Sequence, residues 1–193
     1  MKKTWIILAV LAVLTAGSYY FSRLIPHDNV LVASGHPEYP PFMWQEGSRI
    51  IGVGPELLQI AFDELGIKVD ARADGTWNEV IKKASEGKID AVAALYRTDE
   101  RQKFLNYSTS FSKDPVAIFV SKKRSFPYQQ WDDLIGKAGT TTIGDSYGQV
   151  FDDFMRNKLE VNRLKTVEDN FNQLLNAKAD YFVFALYPGL LES

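Results

Sequence analysis

The sequence predicts an α/β fold built on parallel-type sheets flanked by helices. Two observations carry this: short β-branched runs alternate with amphipathic stretches from residue 30 onward, and Gly and Pro punctuate the joints between them. At 193 residues, 46% hydrophobic and 13% aromatic, the chain can bury a real core. It suits one ordinary domain or two small lobes, since an α/β unit closes its core with about 100 residues.

The first strand is 30–33, broken by Ser34 and Gly35, and the prolines at 37, 40 and 41 then predict a rigid loop. Gly52 and Gly54 lead into Pro55, and Leu57, Leu58, Ile60, Ala61 and Leu65 recur at helical spacing until Gly66. Residues 67–71 are the next strand; Thr76 precedes a helix that turns Val80, Ile81 and Ala84 inward and ends at Gly87, and a third strand covers 90–95. This rhythm predicts right-handed crossovers and a ligand edge at the C-terminal ends of the strands. Residues 116–120 are strongly β and lead into a polar stretch, which makes 116–121 the candidate crossover (hinge) strand to a second lobe. The pattern then restarts with a strand over 139–143, a helix over 148–158, a strand over 161–164, a helix over 167–176 and a strand over 181–184. The expected organisation is a signal or anchor segment with its linker over 1–28, lobe 1 over 29–115, the crossover, and a partial lobe 2 over 122–193.

Charge and composition exclude several functions. The 22 basic and 24 acidic residues nearly cancel, so no positive field exists to gather nucleic acid, and Lys122, Lys123 and Arg124 read as a solvated connector. The chain has no Cys, which excludes disulfides, thiolate nucleophiles and Cys-ligated metal; its two histidines, His27 and His36, argue against a His-rich metal site. No cofactor is expected. Lys2 and Lys3 precede an apolar run over 5–14 that is followed by Thr15, Ala16, Gly17 and Ser18, the order of an export signal. Tyr19, Tyr20 and Phe21 could extend that run into an uncleaved anchor in the inner membrane. Ser18 stands where a lipoprotein carries its Cys, so thioether lipidation is chemically excluded. Cleavage removes two lysines and leaves a mildly acidic mature chain.

Three constellations fall on the predicted ligand edge. Tyr39, Phe42 and Trp44 crowd the proline-stiffened loop, and Trp77 opens a helix on the same edge; rigidly held rings grip a small ligand with little entropy loss, although core packing under a loop explains them equally well. Arg101 follows Thr98, Asp99 and Glu100, where its planar fork could hold a carboxylate, or where the turn could simply cap a helix at the surface. Gly144-Asp145-Ser146-Tyr147-Gly148 joins a strand to a helix, so its amides could converge on an anionic group, or it could be an ordinary tight turn.

Taken in order, Tyr39-Pro40-Pro41-Phe42, Gly52-Val53-Gly54-Pro55-Glu56-Leu57, Gly87-Lys88-Ile89-Asp90-Ala91 and Thr98-Asp99-Glu100-Arg101 resemble the bacterial extracellular solute-binding proteins, family 3. The resemblance continues through Asn106-Tyr107-Ser108 and Leu134-Ile135-Gly136-Lys137 and runs from about Val30 to the C-terminus. It implies a periplasmic binding protein-like fold of two lobes that close on a solute and deliver it to an ABC importer. It further implies that Tyr39 is the stacking aromatic, Trp77 a second cleft aromatic and Arg101 the clamp for a ligand α-carboxylate. Ala94 and Tyr96 fall where the family places a Gly and a Thr against ligand, and Tyr96 should narrow the pocket. Asp145 and Ser146 lie in the second-lobe loop that closes on the carboxylate end.

Two departures accompany the resemblance. The acid that pairs with a ligand ammonium after the last strand falls at Ala185 here, so Glu38, Asp74 or Asp145 would have to supply it. Family chains also continue past residue 193, so the second lobe is expected to be incomplete and the sequence a fragment. The leading expectation is periplasmic, non-catalytic capture of a small carboxylate-bearing polar solute by a monomer, with ABC importer subunits as partners and no nucleic acid. An enzyme of the dehydratase type on the same fold, using His36, Glu38 or Asp145, and a membrane-anchored ligand sensor are the alternatives.

Overall fold

The computed structural model describes residues 30–192. The expected signal or anchor segment lies outside the described residues. In chain order the first half holds β1 (Val30–Ser34), β2 (Glu38–Tyr39), β3 (Met43–Glu46), β4 (Arg49–Ile51), helix α1 (Val53–Asp63), β5 (Lys68–Ala71), α2 (Trp77–Ser85) and β6 (Ala91–Val92). The second half holds β7 (Val116–Phe119), β8 (Ala138–Thr142), α3 (Gln149–Lys158), β9 (Glu160–Leu164), α4 (Val167–Leu175), β10 (Tyr181–Ala185) and α5 (Leu186–Glu192).

β1 lies between β5 and β6 in a parallel sheet, and helices α1 and α2 are the crossovers that such pairing requires. Strand β6 is shorter than the 90–95 run predicts. The segment turns away after Val92 and leaves Ala94 to Arg101 as a loop at the strand's C-terminal end. The second sheet has the order β7-β10-β8-β9, with β8, β9 and β10 parallel and β7 antiparallel to β10. The expected parallel-type sheets flanked by helices are present, and β7 adds an antiparallel edge strand to the second of them, pairing Val116 with Ala185.

A second correction concerns the proline-rich segment after β1. Instead of a plain loop it forms an antiparallel meander, β2-β3-β4, with Met43 and Ile50 buried beneath it. Pro37 and Pro40 flank β2 and so sit outside the ladder, where a missing N–H costs nothing. Gly52 then turns the chain into α1 at φ +119, and a Cβ there would lie 2.8 Å from the Phe42 carbonyl oxygen. The basic connector is also more structured than its composition suggests: Arg124 donates to Ala177 O at 2.7 Å and to Asp180 Oδ1 at 2.8 Å, pinning the short 3-10 turn Lys122–Arg124 to the end of α4.

The second sheet's core is aromatic. Phe182 and Phe184, fully buried and stacked 5.1 Å apart, each contribute about 2 kcal/mol of apolar burial. Tyr39 of β2 packs edge-on against Phe184 at 5.9 Å, so the β2-β3-β4 meander, a small sheet of its own, rests directly on β10 of the second sheet. The C-terminal ends of β1, β6 and β8 meet along this seam.

Candidate functional site

Each strand end delivers a short loop to the seam. From β1 comes His36, only 2% exposed, whose ring lies 5.2 Å from Trp77 and 5.6 Å from Tyr39. Its Nδ1 accepts the Glu38 amide at 2.9 Å, which fixes the hydrogen of a neutral ring on Nε2. Trp77 is the first residue of α2 and is held by the helix start. Thr76 donates through both its amide (2.8 Å) and its hydroxyl (2.9 Å) to Glu79, and this anchoring draws the exposed Glu79 carboxyl below its usual range.

Arg101 comes from the loop after β6. Its own amide donates to Thr98 Oγ1 at 3.2 Å, so Thr98 does cap the turn; the guanidinium, however, is buried rather than at the surface. One terminal nitrogen donates to Tyr96 O at 2.9 Å and the other crosses the seam to Gly144 O at 2.7 Å, while the guanidinium carbon lies 5.6 Å from the Trp77 ring centre. Burial lowers the Arg101 pKa, opposed by the charges of Tyr107, Asp145 and Asp152.

The β8 loop supplies the opposite wall. The Asp145 side chain is 7% exposed, with Oδ1 3.4 Å from His36 Nε2 and Oδ2 3.2 Å from the Tyr147 hydroxyl oxygen. Tyr147 in turn donates to Val183 O at 2.6 Å, tying the loop to β10. The loop's amides are partly engaged from within: Asp152 accepts Tyr147 N–H at 2.9 Å and the Ser146 hydroxyl, so an internal carboxylate already holds part of this nest. A groove of about 560 Å³ opens onto His36 and Trp77, edged by Glu38 and Gln45 on one side and Lys165 and Thr166 on the other.

The structure thus brings Tyr39, Trp77, Tyr96, Arg101 and Asp145 together. Phe42, Ala94 and Ser146 form a layer behind them: Phe42 packs on Tyr39, Phe111 and Tyr187, Ala94 packs on the core cluster that holds Trp77, and Ser146 is tied to Asp152. Of the acids considered for a ligand ammonium, Asp74 is engaged by Arg72 and Lys83. Burial works upward on its carboxyl, but hydrogen bonds from Lys83 and Arg72 outweigh it and hold it low. Glu38 accepts Val167 N–H across the seam at 3.0 Å. Ala185 is fully buried at the end of β10.

Asp114, which sequence reasoning missed, is the polar anchor of the aromatic wall. Tyr39 donates its hydroxyl to Asp114 Oδ2 at 2.5 Å, and Tyr96 donates to Asp114 O at 2.5 Å. Burial raises the Asp114 carboxyl despite the bond from Tyr39; burial, with the Asp114 charge, pushes Tyr96 up to about 12. Burial also raises Tyr39 far above the ordinary phenol range. No local motif marks Asp114. The position of His36 did carry a signal, since it follows β1 directly on the predicted ligand edge.

Comparison with known proteins identifies the family. The family described as bacterial extracellular solute-binding proteins, family 3, matches residues 31–183. The probable amino-acid-binding protein YxeM of Bacillus subtilis (strain 168) is 24% identical over 188 residues, covering 95% of this chain and 70% of that protein. The L-cystine-binding protein TcyJ of Escherichia coli (strain K12) is 24% identical over 134 residues, 68% of this chain, and the match spans about half of TcyJ, 48%. Among solved structures, the arginine-bound form of truncated ArgBP from T. maritima aligns with a TM-score of 0.71 at 23% identity over 85% of this chain and 77% of that one. An ancestral arginine-binding protein bound to glutamine gives 0.69 at 24% identity over 85% of this chain and 72% of that one. These relatives and neighbours are solute-binding proteins, not enzymes. Among the described residues no helix is long and apolar enough to cross a membrane. With the matched family spanning most of its length, the chain belongs to the bacterial extracellular solute-binding proteins, family 3.

Proposed function

We propose that the seam captures a small carboxylate-bearing polar solute, an amino acid or a close relative, outside the cytoplasm for delivery to the membrane subunits of an ABC importer. The observation that carries it is Arg101: a buried guanidinium sandwiched between the Trp77 ring and the β8 loop, with its terminal nitrogens on two backbone carbonyls. Backbone carbonyls are neutral acceptors. A ligand carboxylate entering there gives charge-assisted, bidentate bonds that are roughly twice as strong. Tyr39 and Trp77 supply the flat apolar walls, and Tyr39 is held in place by Asp114. The relatives named for amino acids, cystine and arginine support an amino acid as the solute class.

In this reading lobe 1 recognises and lobe 2 closes, with residues 116–121 as the hinge and the protein acting as a monomer. Isothermal calorimetry and thermal-shift measurements against a panel of amino acids and organic acids test it. A heat of binding and a raised melting temperature with at least one carboxylate-bearing member are expected. No response from any member contradicts it.

A further inference from the structure

A second cavity, of about 530 Å³, lies between the 3-10 turn Trp131–Leu134 and helix α3, and none of its lining residues borders the groove at His36 and Trp77. Tyr128, Trp131 and Phe154 supply its apolar wall. Tyr128 is 42% exposed and Trp131 40%, so the two rings share one open hollow rather than standing as scattered single exposures. The indole is nevertheless held firmly, with ring centres 4.9 Å from Phe151 and 5.5 Å from Phe154. The turn beneath it is fixed by Asp133, whose Oδ2 accepts the amides of Gln129 at 2.7 Å and Gln130 at 3.0 Å. Those two bonds hold the Asp133 carboxyl below its usual range. Asp132 also lines the cavity, and its exposed carboxylate makes no ion pair or hydrogen bond with a described residue. Neighbouring basic groups are engaged elsewhere: Lys137 Nζ lies 4.8 Å from the Phe126 ring centre, and Arg156 pairs with Asp153 at 2.9 Å.

We infer that this cavity is a second binding site, separate from the seam, for a small organic cation of the quaternary-ammonium class. Aromatic faces carry the negative side of the ring quadrupole, and an indole attracts a cation best. Asp132 adds a full negative charge at the same rim. A methylated ammonium answers both features, since its methyl groups lie against the rings while its charge faces the carboxylate and asks for no hydrogen-bond donor. Other ligand classes fit less well. A calcium ion takes about six to eight oxygen ligands, whereas one free carboxylate stands here, and no group of three His, Asp or Glu suited to a metal occurs among the described residues. An anion would meet the charges of Asp132 and Asp133. The volume falls in the range of small-molecule sites, about 300–1,000 Å³. The site does not depend on the carboxylate clamp at Arg101, so the two readings stand or fall separately.

The test titrates the full chain with choline and with 3,3-dimethylbutan-1-ol, its neutral isostere, in which carbon replaces the charged nitrogen. Binding is followed by NMR through the Trp131 indole N–H resonance, identified by its absence from Trp131→Phe. Choline should shift this resonance and bind at least about 10-fold more tightly than the alcohol, the span of a cation held over aromatic faces beside a carboxylate. Asp132→Asn should weaken choline by about 2- to 5-fold and leave the alcohol unchanged, as befits an exposed ion pair. Tyr128→Leu, at an exposed position and checked by its thermal unfolding transition, should weaken choline by about 5-fold. Equal binding of choline and the alcohol would reduce the cavity to an apolar patch and overturn the inference. So would choline leaving the indole resonance unmoved, or binding both variants as tightly as the wild type.

Discussion

Arg101 and Asp114 illustrate how single residues in this seam hold the others. Arg101 reaches carbonyls of both lobes, so its removal strips two acceptors of their donor as well as taking away a charge. Asp114 works through Tyr39, and its burial raises its pKa from the ordinary 3.8. A carboxyl that is raised in the folded state makes no difference to stability below its unfolded pKa, where both states are protonated. It lowers stability as pH rises through the interval up to the folded value. Asp114→Asn keeps an oxygen that can accept from Tyr39 while removing the buried charge. Its melting temperature relative to the wild type is therefore expected to increase as pH rises from about 3.8 upward. A difference that stays flat with pH in thermal melts would show that Asp114 is not titrating in that window.

At the scale of elements, α2 couples stability to the site because its first residue is Trp77. Glu79→Ala removes the acceptor of both Thr76 bonds and is expected to lower the midpoint of denaturant unfolding, with Trp77 fluorescence more readily quenched. Gly54 lets α1 approach the segment after β6: a Cβ there would lie 2.9 Å from the Ala93 carbonyl oxygen, so Gly54→Ala is expected to destabilise by about 1–3 kcal/mol and to shift the loop carrying Tyr96 and Arg101. The helices and the longer strands are legible in the sequence because apolar residues such as Val80 and Ala84, or Phe182 and Phe184, keep one period over several turns or residues. The β2-β3-β4 meander is not, since strands of two to four residues between prolines and a glycine carry no such period. Tyr39, Trp77 and Arg101 can be read from motifs on strand ends. Their meeting with Asp114, Asp145 and Gly144 depends on tertiary packing between segments far apart in sequence, which no local pattern encodes.

For the whole molecule, the seam is bridged by bonds that local pattern does not foretell: Arg101 to Gly144, Val167 to Glu38, and Asp99 N–H to Gln149 Oε1 at 3.3 Å. A ligand held by both lobes stabilises the joined arrangement in proportion to its binding, about 2.7 kcal/mol at a hundred times its Kd. Small-angle scattering should accordingly show a smaller radius of gyration with ligand than without, and no compaction would argue against two lobes closing on a shared solute. The most direct measurement is a calorimetric titration of the preferred amino acid into the wild type and into Arg101→Ala, with the decarboxylated amine as a parallel ligand. Loss of a buried, charge-assisted bidentate pair predicts at least about 100-fold weaker binding by Arg101→Ala, and no measurable heat from the amine with the wild type. Arg101→Ala binding the amino acid as tightly as the wild type, or the amine binding as tightly as the amino acid, would contradict a carboxylate clamp at Arg101.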